Sequence, residues 1–157
     1  MRKNRSQHSD NYHQKIERLK ERATELEIRI KNDLFSEARV IASSLTSSAN
    51  RVLDGQKFAT LFIDEAAQAL EASCWIAIRK ANRVIFAGDH CQLPPTIKCI
   101  EAANKGLDKT LMERIVENKP EVLTLLKVQY RMNDTIMRFS SNYFYHGEVE
   151  SAPEIKY

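Results

Sequence analysis

The feature that most constrains this chain is a recurrence of short, nearly continuous apolar runs that close on polar or glycine residues: 38–42 (ARVIA), 60–63 (TLFI), 83–87 (RVIFA) and 122–126 (VLTLL). Runs this short, rich in β-branched and aromatic side chains, suit strands buried on both faces, the mark of a parallel sheet. Between them, 68–80 (QALEASCWIAIRK) and 105–118 (KGLDKTLMERIVEN) carry helical patterning, the second stopped ahead of Pro120. The order β, β, α, β, α, β predicts a doubly wound α/β domain, whose ligands bind beyond the carboxyl ends of the strands. At 157 residues the chain has the length for one ordinary core plus an appendage.

The appendage is N-terminal. Ile16, Leu19, Ala23, Leu26 and Ile30 recur at alternating steps of three and four, a heptad seam that predicts one long amphipathic helix from Tyr12 to about Lys31. Glu25 with Arg29 and Glu27 with Lys31 stand four apart with the acid first, the better orientation for pairing on a helix surface. The seam packs either on its own domain or on a sister chain, so self-association is expected there or along an open sheet edge.

Charge is divided unevenly. Residues 1–31 hold nine Lys and Arg against five Asp and Glu, whereas the other 126 hold fifteen against sixteen. The globular part is therefore nearly neutral and the appendage basic. A basic arm either gains affinity for nucleic-acid phosphates through counterion release or is a solvated tail.

Cys74, Cys91 and Cys99 follow no CxxC spacing, which argues against a disulfide framework and a zinc site. No apolar run approaches the roughly 20 residues that span a bilayer, and the polar start MRKNRSQHSDNYHQ lacks the apolar stretch of a signal peptide. These features point to the cytoplasm and to no membrane partner.

The unusual residues lie at the strand ends. Strand 60–63 runs directly into Asp64 and Glu65. Two adjacent carboxylates beside a buried strand repel one another unless a divalent cation compensates them; the other reading is an acidic helix start favoured by the helix dipole. In P-loop NTPases an Asp in this setting holds Mg²⁺ and a neighbouring Glu handles the attacking water.

The strand at 83–87 ends in Gly88, Asp89, His90, Cys91, Gln92, Leu93, Pro94, Pro95 and Thr96. Gly88 permits a sharp departure from the sheet and the two prolines stiffen the loop beyond it, so that Gln92 is held where it can sense a phosphate. His90 and Cys91 have no partner pair at metal-ligand spacing, which leaves packing or proximity to phosphate. A third cluster, Gln129, Tyr130, Arg131, Met132 and Asn133, comes after the fourth run. An Arg there can stabilise phosphoryl-transfer charge and a Tyr can stack on a base.

Together these blocks resemble the superfamily 1 helicases. FIDEAAQALE resembles their motif II, AGDHCQLPPT motif III and QYRMN motif IV, closest to the branch of the nonsense-mediated decay RNA helicase and its relatives. FSSNYFYHGEVESA is similar to the stretch FPSxxFYxGxLxxA that leads towards the second motor domain. RVIASSLTSSAN resembles the strand and loop that meet the nucleic-acid backbone, so the likeness extends over about 38–152. After QYRM the family commonly has His and Pro, where this chain has Asn133 and Asp134.

The resemblance implies a partial RecA-like P-loop domain acting with ATP and Mg²⁺ on single-stranded DNA or RNA. It implies that Asp64 holds Mg²⁺, Glu65 activates water, Gln92 contacts the γ-phosphate, Arg131 stabilises phosphate charge and Tyr130 stacks on adenine. Ser43, Ser44, Thr46, Pro95 and Thr96 would line the single-strand track. Residues 1–34 would be a basic tail and stalk-like helix, 35–130 the latter part of motor domain 1, and 131–157 a linker towards motor domain 2.

A phosphate-gripping Walker A loop needs GxxxxGK[ST], and Gly55, Gly88, Gly106 and Gly147 are the only glycines, none in that setting. The 157 residues are therefore expected to be inactive alone, as an excerpt of a helicase or, alternatively, a stand-alone binding module without ATPase activity.

Overall fold

The computed structural model describes residues 3–157, with side chains described from Tyr12 onward. The basic side chains ahead of Tyr12 lie outside the described residues. The chain divides into two units, Met1–Ser43 and Ser44–Tyr157.

The first unit is built on α1 (Lys3–Glu37), a 35-residue helix that extends beyond the predicted 12–31 at both ends. Leu19 on the heptad seam is 62% exposed, and Ile16, Leu26 and Ile30 are exposed too. The surface ion pairs differ from those that spacing predicts: Glu25 takes Arg22 at 3.0 Å and Arg29 lies 3.9 Å from Asp33. Such exposed pairs contribute a few tenths of a kcal/mol each, too little to decide which partner a long side chain chooses. The predicted strand at 38–42 does not form; the segment carries no helix or strand, and Val40 is 86% exposed. β-propensity describes fit to a half-buried pleated surface, and without a partner strand it fixes nothing.

The second unit starts from a βαβ arrangement. β1 (Phe58–Ile63) pairs in parallel with β2 (Ala81–Phe86), in a register that sets Thr60 opposite Arg83 and Ile63 opposite Phe86. A 3₁₀ turn, Ala66–Gln68, and helix α2 (Glu71–Ile78) make the crossover. Ile63, Ala66, Ala67, Cys74 and Met112 form the buried cluster, with Leu45, Leu61, Val84 and Phe86 packed against it. The core thus sits directly beneath the turn that carries Asp64 and Glu65.

The predicted helix 105–118 is broken in two. A short turn, α3 (Ile100–Ala102), runs into a π turn (Ala103–Leu107) in which Gly106 adopts φ +91°, and α4 (Leu111–Asn118) starts afresh behind a capping box of Thr110 and Glu113. The predicted strand 122–126 is also displaced. Pro120–Val122 is a 3₁₀ turn and Leu126 is 83% exposed, while the ladder begins at β3 (Val128–Gln129).

Helix α5 (Asp134–Phe144) comes next, its first turn capped by the Asn133 side chain, which accepts from the Ile136 N–H at 3.0 Å. β3 pairs in parallel with β4 (Glu150–Ser151), so the strands form two separate two-stranded parallel sheets instead of one sheet of four. The class is α/β with parallel strands behind a long amphipathic helix. Among the described residues no helix is long and apolar enough to cross a membrane.

Candidate active site

The β1 strand ends on Ile63, 3% exposed, and the backbone turns sharply at Asp64 and Glu65, both exposed. Glu65 is left-handed (φ 51°, ψ 38°), a conformation that costs a non-glycine residue about 1–2 kcal/mol. Local bonding holds it there. Asp64 Oδ1 accepts the Glu65 N–H at 3.0 Å, and the Ala66 N–H donates to the Ala87 carbonyl at 2.9 Å. The next regular helix begins only at Glu71, so a helix dipole, which acts within its first turn, does not account for the pair of carboxylates.

The β2 strand leaves through Gly88, whose φ is +156° and whose backbone lies so close to this turn that a Cβ would stand 2.9 Å from the Ala66 nitrogen. Only glycine allows the two strand ends to touch here. Immediately beyond it, Asp89 gathers the loop. Its Oδ1 accepts the Cys91 N–H at 3.0 Å, and its Oδ2 accepts from Gln92 Nε2 at 2.8 Å and from the Tyr145 hydroxyl.

Burial raises the Asp89 pKa, but the hydrogen bonds from Tyr145, Gln92 and the Cys91 N–H outweigh it and hold the carboxyl below its ordinary range. Burial, reinforced by the Asp89 bond and charge, pushes Tyr145 upward, and burial followed by the Asp89 charge does the same to the Cys91 thiol. Asp89, His90 and Cys91 bring three ligand atoms within 4.8 Å of one another, yet both Asp89 oxygens are already taken up by hydrogen bonds.

A residue whose folded pKa is lowered contributes stability above its unfolded pKa and loses it as pH falls through the folded value. The Asp89–Tyr145 bond therefore acts above the usual carboxylate range, about pH 4, and weakens below it. Tyr145→Phe is expected to lower stability at neutral pH by about 1 kcal/mol, less than the roughly 1.5–3 kcal/mol of a well-buried charged hydrogen bond because the pair is only half-buried. The loss should shrink in acid; urea melts at neutral pH and near pH 3 that show the same difference would refute the assignment.

Two open cavities flank the strand ends. One, of about 380 Å³, is lined by Leu45, Thr46, Glu65, Gln68, Ala69, Leu70 and Ser73; the other, of about 390 Å³, by Gln68, Cys91, Gln92 and Leu93. Gln68 lines both and its Nε2 lies 3.5 Å from Glu65 Oε2; Glu65 lines the first cavity and Gln92 the second. Tyr130, 71% exposed, and Arg131, also exposed, sit on the loop after β3. Among the described residues no hydrogen bond or ion pair joins these two to Asp64, Glu65 or Gln92.

The other predicted residues are scattered. Thr46 shares the first cavity with Glu65, Ser44 Oγ accepts the Ser47 N–H at 3.1 Å in a turn, Pro95 is buried and Thr96 exposed, and Ser43 closes the first unit. Spacing does not reveal the roles of Asp89, Tyr145 and Gln68. All three stand inside the quoted motifs, but the Asp89–Tyr145 bond spans 56 positions and leaves no local signal.

A family model described as an AAA domain matches residues 1–99, and a second of the same description matches 107–157. The uncharacterized ATP-dependent helicase MJ0104 of Methanocaldococcus jannaschii is 39% identical over 142 residues, 90% of this chain and 21% of that protein. DNA-binding protein SMUBP-2 of Rattus norvegicus is 39% identical over 92% of this chain and 15% of its own length. The regulator of nonsense transcripts 1 homolog of Drosophila melanogaster is 37% identical over 76% of this chain and 10% of its own. The chain spans about a fifth or less of the length of these relatives.

The two AAA-domain matches and these relatives lead to one assignment: the chain belongs to the AAA-domain family of superfamily 1 helicases, in the branch of the nonsense-mediated decay helicase.

Proposed function

We propose that these residues form the cation-holding and phosphate-sensing side of an ATP site in a motor that moves along single-stranded DNA or RNA. The observation that carries this reading is the junction at Gly88, which packs the start of the Gln92 loop against the carboxylate turn, while Gln68 lines both the cavity of Glu65 and that of Gln92. Asp64 keeps one carboxylate oxygen beyond the one that accepts the Glu65 N–H, and a donor set of carboxylate oxygens suits a hard cation such as Mg²⁺. A divalent cation supplies charge neutralisation to phosphoryl transfer.

In this reading Asp64 holds the cation, Glu65 takes a proton from water, Gln92 contacts the terminal phosphate, Arg131 stabilises phosphoryl charge and Tyr130 stacks on the base. Ser43, Ser44, Thr46, Pro95 and Thr96 belong to the nucleic-acid track, and 131–157 leads to a second motor domain. The names of the relatives, an ATP-dependent helicase and a DNA-binding protein, support ATP and nucleic acid as ligands.

The test uses Mn²⁺ as a paramagnetic substitute for Mg²⁺. Mn²⁺ with ATP should broaden the backbone amide resonances of Asp64, Glu65 and Gln92 in the 157-residue chain, and Asp64→Asn should relieve the broadening; sharp signals in the unaltered chain would sink the proposal. With no GxxxxGK[ST] sequence to position the phosphates, ATP turnover should equal that of Glu65→Gln, because positioning and electrostatics are most of this catalysis. Turnover that disappears in Glu65→Gln would overturn the claim of inactivity.

The second reading, a nucleic-acid-binding module without ATPase activity, is favoured by the excess of four positive charges in residues 1–31, nine basic against five acidic. It requires gel-shift binding to a single-stranded oligonucleotide that weakens as salt is raised. Self-association through the seam at 16–30 or through a sheet edge would appear in sedimentation as a concentration-dependent mass.

A further inference from the structure

Gln129 is half-buried at the end of β3, and its side-chain amide is used to capacity. Oε1 accepts the Arg131 N–H at 2.8 Å and the Met132 N–H at 2.9 Å. Nε2 donates to the Met132 carbonyl at 2.5 Å and to Ser151 Oγ at 2.7 Å. The Ser151 hydroxyl, on a residue 5% exposed, donates in turn to the Met132 carbonyl at 2.9 Å.

One amide group thus closes the loop 130–132 on itself and ties it to β4. The backbone agrees, since the Ala152 N–H donates to the Gln129 carbonyl at 2.8 Å. The arrangement needs an acceptor on one branch and a donor on the other, which an amide supplies and a carboxylate or an ammonium does not.

The two residues displayed by this loop, Tyr130 and Arg131, have exposed side chains, and among the described residues no hydrogen bond or ion pair holds either side chain. Their placement is inherited from the backbone. We infer that Gln129 is the positioning residue of this loop, presenting Tyr130 and Arg131 to a nucleotide, with Ser151 transmitting any displacement of β4 to them.

The role towards a nucleotide rests on the proposed function, whereas the clamp does not. If Gln129 only filled space, Gln129→Glu, equal in volume, would be tolerated and Gln129→Ala would not. If the amide is the clamp, Gln129→Glu sets a carboxylate oxygen against the Met132 carbonyl and is as damaging as Gln129→Ala.

Amide hydrogen exchange of the 157-residue chain, read by NMR, separates the two. Arg131 and Met132 should exchange at least about tenfold faster in both variants, the effect of losing a pair of net hydrogen bonds in a local opening. The amides of Ile63 and Ala87 should keep their protection, which establishes that each variant is folded. In the unaltered chain, ATP with Mg²⁺ should shift the Tyr130 ring resonances, and both variants should need about tenfold more nucleotide for the same shift.

Unchanged exchange at Arg131 and Met132 in Gln129→Glu overturns the clamp. Altered exchange together with no Tyr130 shift in the unaltered chain overturns the nucleotide reading, and the positioning role with it, while the clamp stands.

Discussion

Replacing Gly88 with valine is expected to cost about 2–6 kcal/mol, the sum of a strained backbone and an overpacked contact, each worth about 1–3 kcal/mol. The two terms arise together. At φ +156° an L side chain is already disfavoured, and its Cβ would lie 2.9 Å from the Ala66 nitrogen, 3.1 Å from the Ala67 nitrogen and 3.4 Å from Met112 Sδ. The first two neighbours are backbone, so relief means moving the turn itself, and the Ala66 N–H is bound to the Ala87 carbonyl at 2.9 Å.

A domain of ordinary stability has about 5–15 kcal/mol in all, so the variant gives up a large share of it. Gly55→Ala is the control: its φ is +75° but a Cβ there would meet nothing within 4 Å, and only the conformational cost of about 1 kcal/mol remains. Urea denaturation that finds the two substitutions equal would refute the close-contact account. The Gly88 change should also abolish Mn²⁺ broadening at Asp64 under conditions where the chain stays folded, because the carboxylate turn is shaped against that glycine.

The parts of the fold that are legible in the sequence are those whose signal is local. Residues 60–63 and 83–87 are continuous apolar runs that find each other as partners, and β1 and β2 form close to where the pattern puts them. The run at 38–42 is similarly apolar but pairs with no strand among the described residues, and it remains irregular. At the other end, β4 is the polar pair Glu150 and Ser151, which no hydrophobic pattern marks; its pairing draws the ladder to Val128 and leaves 122–126 outside it.

The candidate site divides in the same way. Asp64, Glu65 and Gln92 stand out because their types follow strands, whereas the partners that fix Asp89 and Gln129 lie far along the chain. Tyr145 reaches Asp89 from 56 residues away, and Ser151 reaches Gln129 from 22. Such side-chain bonds depend on tertiary placement and have no period. Gly106 and the T-x-x-E sequence at 110–113 are a different case: both are local helix signals, a break and a start, and together they account for the division of 105–118.

That helix start carries the second large effect. Thr110→Val is expected to destabilise the chain by about 1–3 kcal/mol, the range for losing a cap and stranding a buried polar group. Thr110 is fully buried, and three bonds depend on it: its Oγ1 accepts the Glu113 N–H at 3.1 Å and donates to Glu113 Oε2 at 3.1 Å, while its own N–H donates to that oxygen at 2.7 Å. Valine keeps the volume and removes the hydroxyl, leaving the Glu113 N–H without its acceptor inside the protein. The consequence reaches the site because Met112, 6% exposed, stands between this cap and Gly88, where its sulfur packs on the turn. A second tie, Arg114 to Glu71 at 3.0 Å, joins α4 to α2 but is exposed enough to contribute little by itself. Thr110→Ser, which retains the hydroxyl and loses a methyl, should cost less than Thr110→Val. If thermal melts place serine at or below valine in stability, the methyl packing and not the capping box holds the start of α4.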